Sequence, residues 1–427
     1  MSAPNTQLVQ IEKPVYGGAF LARLEGKAIF VPLTSPGEMA RIRMVENKRG
    51  YALAEVEEIV SASPARVAPG CPHFGACGGC HYQHIDYQSQ LGFKKAILRE
   101  TLGRGGVGAL PEIDVCAAEP WSYRNRIRVA FDAAGKVGYR GRRSHNVIPA
   151  TECPIAAHLL LKAATAFAAT LREFRVAPHP TEVSLFCDTN ESALLVSVFI
   201  PASGKFRFDD IAGAFRERVP ELLGLEFVAD GRKGEEPRTL ARWGATSVAY
   251  RAAGFDYRVD HGSFFQVNRW LVDTLVERVT AGRSGKLAWD LFAGVGLFAR
   301  QLSARFEQVV AVESAPSAID ALKENLKHTH SKPVDAEVLA FLRRHSKSEV
   351  PELIVVDPPR VGLEPETTAQ LAKIAAREIV YVSCDPATLA RDLRALSGSG
   401  YAIESIALVD LFPQTFHLET VVALSRA

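Results

Sequence analysis

The sequence predicts an α/β protein in three parts: a small N-terminal β-barrel, an α+β middle, and a C-terminal doubly wound sheet. Three observations carry this. Residues 8–60 break into five short apolar or alternating runs at 8–12-residue spacing. From about Ala253 apolar runs alternate with helical stretches. Between them strands and helices mix in no fixed order. A chain of 427 residues has room for two to four such domains. The boundaries fall at 1–62, 63–250 and 251–427.

The barrel runs are 8–11, 19–24, 28–32, 39–45 and 51–56. Gly17-Gly18, Gly26-Lys27, Ser35-Pro36-Gly37 and Lys48-Arg49-Gly50 punctuate them. Residues 61–70, with two prolines and small side chains, read as a linker. Residues 87–102 read as a helix ending at Gly103, and residues 232–237 as a charged loop.

Composition narrows the class. Hydrophobic residues make up 47% and charged residues 23%, which excludes whole-chain disorder, collagen and coiled coil. The net charge of +2 is silent about partners, but its distribution is not. Residues 1–150 hold 19 Lys+Arg against 13 Asp+Glu, and the rest hold 31 against 35. No run approaches 18 apolar residues, and residues 1–10 are polar, so neither a membrane span nor a secretion signal is expected. Seven cysteines, an odd number, then belong in a reducing cytoplasm, where clustered thiols bind metal or do chemistry.

In the C-terminal part, strands are expected at 286–292, 309–313, 352–357 and 378–383. Helices are expected at 297–304, 316–328, 367–376 and 386–396. Ligands of such sheets sit at the carboxyl ends of the strands. The first strand runs into Asp290-Leu291-Phe292-Ala293-Gly294-Val295-Gly296. Glycines there let backbone approach a ligand. Glu313, 19 residues after Gly294, ends the next strand, where a carboxylate can accept both hydroxyls of a ribose. The loop alone fits a nucleoside-type cofactor, a dinucleotide or a plain turn. Asp290 at the strand end, facing a cationic methionine group, and the late position in the chain favour S-adenosylmethionine.

Two further strand ends carry chemistry. Asp357-Pro358-Pro359-Arg360 ends one in a carboxylate followed by a stiff di-proline. Ser383-Cys384-Asp385-Pro386 places a thiol between a strand and a helix whose N-cap is Asp385. The helix dipole is expected to lower that thiol's pKa. A thiolate beside a methyl donor has a coherent use: adding to carbon 6 of uracil makes carbon 5 nucleophilic, and a base then removes the carbon 5 proton. Phe412-Pro413-Gln414-Thr415-Phe416-His417-Leu418-Glu419 offers His417 and Glu419 for that base, before a last apolar strand at 421–424.

Upstream, Cys71, Cys77 and Cys80 crowd a Pro/Gly-rich loop, and Cys153 precedes Pro154. Four such thiols allow zinc or an iron–sulfur cluster. Cys116 and Cys187 lack that context and read as core residues. Arg124, Arg126 and Arg128 alternate along one strand face, and Arg140, Arg142 and Arg143 follow a turn at Gly135. This face suits RNA phosphates, with Tyr123 and Tyr139 expected to stack on bases, unless it is only a solvated hairpin.

Together these segments resemble the uracil-5 RNA methyltransferases, in particular the bacterial 23S rRNA type. The matching residues are Phe264-Phe265-Gln266-Val267-Asn268, 290–296, 357–360, 383–389 and 412–419. Residues 15–60 resemble the TRAM domain, an OB-like RNA-binding barrel. Cys77-Gly78-Gly79-Cys80-His81-Tyr82-Gln83-His84, with Tyr87, Gln90 and Lys94, resembles the family's iron–sulfur segment.

The resemblance implies a Rossmann-like class I methyltransferase domain behind the TRAM barrel and an iron–sulfur domain. It implies Cys384 as nucleophile, Glu419 as base, and Gln266, Phe292, Glu313 and Asp357 as cofactor-binding residues. A [4Fe–4S] cluster on Cys71, Cys77, Cys80 and Cys153 is implied likewise. Leu297 stands where relatives often carry Asn, and Asp335 is a weak candidate for the adenine edge. The expected partner is RNA, 23S rRNA before tRNA, for a cytoplasmic monomer with no membrane or DNA partner. A non-catalytic RNA-binding factor and an NAD-dependent oxidoreductase are the readings from other classes. Having both Cys384 and Glu419 disfavours the first; the nucleophile and the barrel disfavour the second.

Overall fold

In the computed structural model, residues 6–132, 134–176, 180–201, 207–229, 238–345 and 350–426 are described. The loop read at 232–237 lies outside them. β1 (Thr6–Pro14), β2 (Ala19–Leu24), β3 (Lys27–Pro32), β4 (Met39–Asn47) and β5 (Tyr51–Ser61) close into a barrel in the order β1-β2-β3-β5-β4. Alternation puts Phe20, Ala22, Ile29, Val31 and Ile42 inside, all fully buried. Tyr82 and Ile85 plug the same core from the segment that follows.

α1 (Tyr87–Arg104) and β6 (Ile113–Cys116) come next. Asp86 caps α1, accepting the Ser89 N–H at 3.0 Å. The middle of the chain holds β7 (Arg126–Phe131), β8 (Val137–Arg140), β9 (Val147–Pro149), α2 (His158–Glu173), β10 (Glu182–Cys187), β11 (Leu194–Ile200), α3 (Phe208–Arg218), β12 (Leu222–Ala229) and β13 (Arg238–Gly244). Its sheet runs β13-β12-β11-β10-β7-β8-β9, and apolar side chains of α2 and α3 join its core. A hairpin of β14 (Ser247–Ala252) and β15 (Phe255–Asp260) leads onward.

The last part contains α4 (Val272–Thr280), β16 (Gly285–Leu291), α5 (Leu297–Leu302), β17 (Phe306–Glu313), α6 (Pro316–Leu326), β18 (Ser331–Asp335), α7 (Val338–His345), β19 (Leu353–Val356), α8 (Pro365–Ile374), β20 (Glu378–Ser383), α9 (Pro386–Ser397), β21 (Ala402–Val409) and β22 (Thr420–Ser425). The sheet order is β18-β17-β16-β19-β20-β22-β21-β6. Strands β18 to β20 are parallel, and β22 reverses direction beside β20. The parallel strands bury both faces, so β19 reads as Leu-Ile-Val-Val without alternation. Chain order reverses between β16 and β19, and the crevice at such a switch is where a ligand sits. β6 and α1, from residues expected in the middle part, extend and cover this sheet: β6 pairs with β21, and α1 packs on α9. No helix among the described residues is long and apolar enough to cross a membrane.

Lys94 of α1 is fully buried, with Nζ 2.5 Å from Asp410 Oδ1 and 2.9 Å from the Phe412 carbonyl. Tyr87 also donates to Asp410, at 2.9 Å. Lys94→Met would strand a buried carboxylate, at a cost of about 3–5 kcal/mol. A clear fall in the urea midpoint by near-ultraviolet circular dichroism is the expected result; an unchanged midpoint would contradict it.

Candidate active site

The site gathers at the carboxyl ends of β16, β17, β19, β20 and the start of β22. After β16 the chain turns sharply, with φ +65° at Phe292. Gly296 has φ +90°, and a Cβ there would lie 2.8 Å from Leu322, so only glycine fits this close approach to α6. At Gly294 an added Cβ would meet nothing within 4 Å, leaving space in front of the loop.

Glu313 organises that loop. One carboxylate oxygen accepts Gly294 N–H at 2.8 Å, and the other accepts Ser314 and Ala315 N–H, each at 2.7 Å. A carboxylate offers about four acceptor sites, so capacity for a further donor remains. Asp335 lies opposite Glu313 in the ladder and is exposed. Asp290, read as facing a cofactor, is instead fully buried under the loop and accepts Ala299 N–H at 2.8 Å. Burial, then Asp357 and Glu313, push its carboxyl up to about 8. Leu297 is buried, and its carbonyl accepts the Tyr257 hydroxyl at 3.1 Å.

Register places the two reacting candidates. Ser383 of β20 pairs with Thr420 of β22, so Cys384 and Glu419, one residue beyond, end neighbouring strands. Asp385 caps α9, accepting Ala387 and Thr388 N–H at 2.9 and 3.0 Å, with Pro386 at its first turn. The expected fall in the Cys384 pKa does not occur. Burial first, then Glu419 and Asp357, push the thiol up to about 11; Arg360 pulls the other way. Burial first, and then the two carboxyls, hold the resting thiol protonated. Burial and Asp357 likewise hold Glu419 well above the usual carboxylate range, and burial pushes Asp357 up to about 7. His417 is a poor base: burial and Arg360 push it down to about 3, and its Nδ1 lies 3.1 Å from the Arg360 guanidinium.

The loop before β22 is held by residues that sequence reasoning left without this role. Gln90 bonds Gln414 twice, at 2.9 and 3.1 Å, and lies with Lys94 and Tyr87 on one face of α1. Gln414 has φ +67°, and its carbonyl accepts His81 and Tyr82 N–H. Asn125 Nδ2 donates to the Gln266 carbonyl at 2.9 Å, and Asn268 Nδ2 donates to the Leu411 carbonyl at 3.2 Å. Gln266 is itself buried. Tyr16, in the β1–β2 turn, donates to the Cys384 carbonyl at 3.4 Å and stacks edge-on against Phe416. Only the neighbouring glycine pair marked Tyr16 in the sequence. By contrast Phe264, two residues before Gln266, is 63% exposed.

Cys71, Cys77, Cys80 and Cys153 line one cavity with Arg124 and Tyr139. Among the described residues no three His, Cys, Asp or Glu side chains gather tightly enough for a single metal ion. Arg124 Nε and the Tyr139 hydroxyl are buried there without a conventional partner. Gly79 N–H donates to Cys77 Sγ at 3.3 Å. Cys116 and Cys187 are buried in separate cores, as expected.

The basic stripe needs correcting. Tyr123 is fully buried and donates to the Pro413 carbonyl at 3.0 Å, and Tyr139 turns its hydroxyl to the cysteines. Neither presents a ring to a base: Tyr123, ahead of β7, packs toward the 412–419 loop, and Tyr139, on β8, toward the cysteine loop. Arg126 lies over the Phe186 ring, and Arg128 and Arg140 both pair with Glu182.

Residues 5–56 match the TRAM domain and residues 342–427 match tRNA (Uracil-5-)-methyltransferase. The chain is 31% identical to the 23S rRNA (uracil(1939)-C(5))-methyltransferase RlmD of Shewanella frigidimarina, over 95% of this chain and 92% of that one. The chain belongs to the RNA uracil-5-methyltransferase family. Another relative within reach of this family, named an uncharacterized RNA methyltransferase, from Aquifex aeolicus, is 34% identical over 97% of both chains. The family fold is shared by the tRNA (uracil-54, C5)-methyltransferase of Pyrococcus abyssi, solved with S-adenosyl-L-homocysteine. It has a TM-score of 0.80 and 24% identity over 97% of this chain and 100% of that one. The C-terminal part is thus the class I methyltransferase fold of a family that methylates RNA uracil with S-adenosylmethionine.

Proposed function

We propose that this protein methylates carbon 5 of a uridine in 23S rRNA through a covalent bond between Cys384 and carbon 6. The observation that carries the reading is the pairing of β20 with β22, which brings a thiol and a buried carboxyl together at the mouth of a cofactor crevice. The near full-length likeness to RlmD enzymes supports 23S rRNA over tRNA.

S-Adenosylmethionine would supply the methyl group. Glu313, Gln266, Phe292 and Asp357 would hold it. The open front of Gly294 and the buried carboxyls Asp290 and Asp357, which a positive charge would ionise, fit a cationic ligand. In the reaction Cys384 releases its proton to solvent and Sγ bonds carbon 6, leaving an enolate. Carbon 5 would take the methyl group as its bond to the donor's sulfonium sulfur breaks, with neutral S-adenosylhomocysteine leaving. Glu419 removes the carbon 5 proton; that electron pair restores the double bond, and the carbon–sulfur bond breaks to free Cys384. Glu419 must be ionised to do this. Asp357 and Glu419 give up their protons as a cation is seated beside them.

A pH dependence follows. Asp357 titrates at about 7 in the empty site, and a cationic amino acid group favours its carboxylate. Affinity for S-adenosylhomocysteine should therefore rise about tenfold from pH 6 to pH 8, with proton release on binding. Isothermal titration in buffers of different ionisation enthalpy reads both; an affinity flat or falling over that range would contradict the assignment.

Cys71, Cys77, Cys80 and Cys153 would hold a [4Fe–4S] cluster. The donor set is all thiol, and buried Arg124 has an uncommitted Nε to face a negatively charged group. No step of methyl transfer needs an electron, so the role proposed is structural. The parts 1–62, 63–250 and 251–427 then serve RNA, cluster and methyl donor, in a cytoplasmic monomer. The test is transfer of labelled methyl from S-adenosylmethionine to RNA of cells lacking 5-methyluridine, by anaerobically purified protein. Label as 5-methyluridine in 23S rRNA supports the reading; label confined to tRNA overturns the substrate.

A further inference from the structure

We propose that Arg142 and Arg143 form a subsite for an RNA backbone phosphate next to the uridine presented to Cys384. This rests on the function proposed above. It follows from sorting the six arginines of the basic stripe by what each touches. Arg124 faces the cysteines and Arg126 covers a phenylalanine ring. Arg128 and Arg140 share Glu182, at 2.5 and 2.8 Å. Arg142 and Arg143 have no ion pair and no side-chain hydrogen bond among the described residues. Glu55 is the carboxylate that acts on Arg142 from a distance, and it is already paired with Arg43 at 2.5 Å.

Both guanidiniums line a cavity of about 240 Å³ between the β1–β2 turn and the cysteine loop. The same two line a second cavity, of about 400 Å³, along β3 and β5. Arg142 is half-buried. Two like charges side by side, one partly out of water and neither neutralised, suit an anion, and guanidinium pairs suit a phosphate in particular. The cavity is also built. Arg142 N–H bonds the Ala76 carbonyl at 2.9 Å, and Gly78 N–H bonds the Arg140 carbonyl at 3.0 Å, locking the arginine loop to the cysteine loop. Gly18, with φ +83°, has no room for a Cβ, which would lie 2.9 Å from both His81 and Phe416.

That contact fixes the source of the phosphate. His81 lines the cavity, and its ring packs on Phe416 at 4.6 Å. Phe416 touches Tyr16, whose hydroxyl bonds the Cys384 carbonyl. Three rings in series, His81, Phe416 and Tyr16, thus link the wall of the arginine cavity to the backbone of the nucleophile. A base swung out to Cys384 stays joined to its strand, and the flanking sugar–phosphate must run across this wall.

The test compares wild type with Arg142→Gln/Arg143→Gln, and with Arg143→Gln alone, since Arg143 is exposed and supports no other group. Filter binding of deproteinised 23S rRNA is measured against salt, beside methylation kinetics. The double variant should bind RNA at least about tenfold more weakly. Its salt slope should be shallower by about 0.7, the value for one phosphate contact on a single strand. The loss should appear in KM for RNA, with kcat at saturating RNA within about threefold and with the S-adenosylhomocysteine-induced melting shift retained. Arg142→Lys/Arg143→Lys should recover the slope but not the full affinity. Unchanged affinity and slope in the double variant would overturn the subsite. If wild type methylates no RNA, the functional reading fails, yet the binding and salt data still decide the subsite.

Discussion

Cys384→Ala should abolish methyl transfer to RNA, by about 10⁴-fold or more, while S-adenosylhomocysteine still binds. The size follows from the chemistry. Carbon 5 of uracil is a poor nucleophile until sulfur adds to carbon 6, so no neighbouring group can substitute for the thiol. Retained binding follows from the geometry, because Glu313, the glycine loop and Gln266 lie on other strands and loops than β20. Removing the thiol leaves Asp385 capping α9 and Tyr16 bonded to a backbone carbonyl, which any residue at 384 would offer. Turnover in the alanine variant would remove the assignment.

Glu419→Gln should slow the reaction by about 10²–10⁴-fold and change what accumulates. Without a base the carbon 5 proton stays, the carbon–sulfur bond cannot break, and methylated RNA remains attached to Cys384. An RNA-linked protein band on denaturing gels, containing label from the methyl donor, is the expected result. The amide matches the carboxyl in shape, and Glu419 is held protonated in the resting site, so packing should be preserved. Normal turnover with no linked species would mean that another group takes the proton. His417 is ill suited to that role, since Arg360 and burial keep it neutral and occupy its ring nitrogen.

Local chemistry made much of this legible in the sequence. Strand β20 and the start of α9 were readable because Asp385 and Pro386 are strong start signals, and β16 because a buried parallel strand is a plain apolar run. The barrel was readable because its turns carry glycine at even spacing. What escaped depends on contacts across long separations. Strand β6 pairs with a partner nearly 300 residues later, and nothing in Ile-Asp-Val-Cys announces it. Gln90 and Lys94 look like surface residues of a helix, yet they hold the 410–419 loop from inside the core. Tyr123 and Tyr139 looked like stacking platforms because alternation reports a face, not what covers it. The Cys384 pKa goes the other way because the fold buries the thiol and brings Glu419 and Asp357 to it from elsewhere in the chain.

The central claim is a covalent path through Cys384, and RNA bearing 5-fluorouridine tests it most directly. Fluorine at carbon 5 cannot leave as the proton does, so the complex must stall after methyl transfer with carbon 6 still bound to sulfur. Incubating the protein with S-adenosylmethionine and 5-fluorouridine-substituted 23S rRNA, then digesting and weighing the peptides, should place a methylated fluorouridine on Cys384. Its absence, from protein that converts unmodified uridine under the same conditions, would contradict the covalent mechanism.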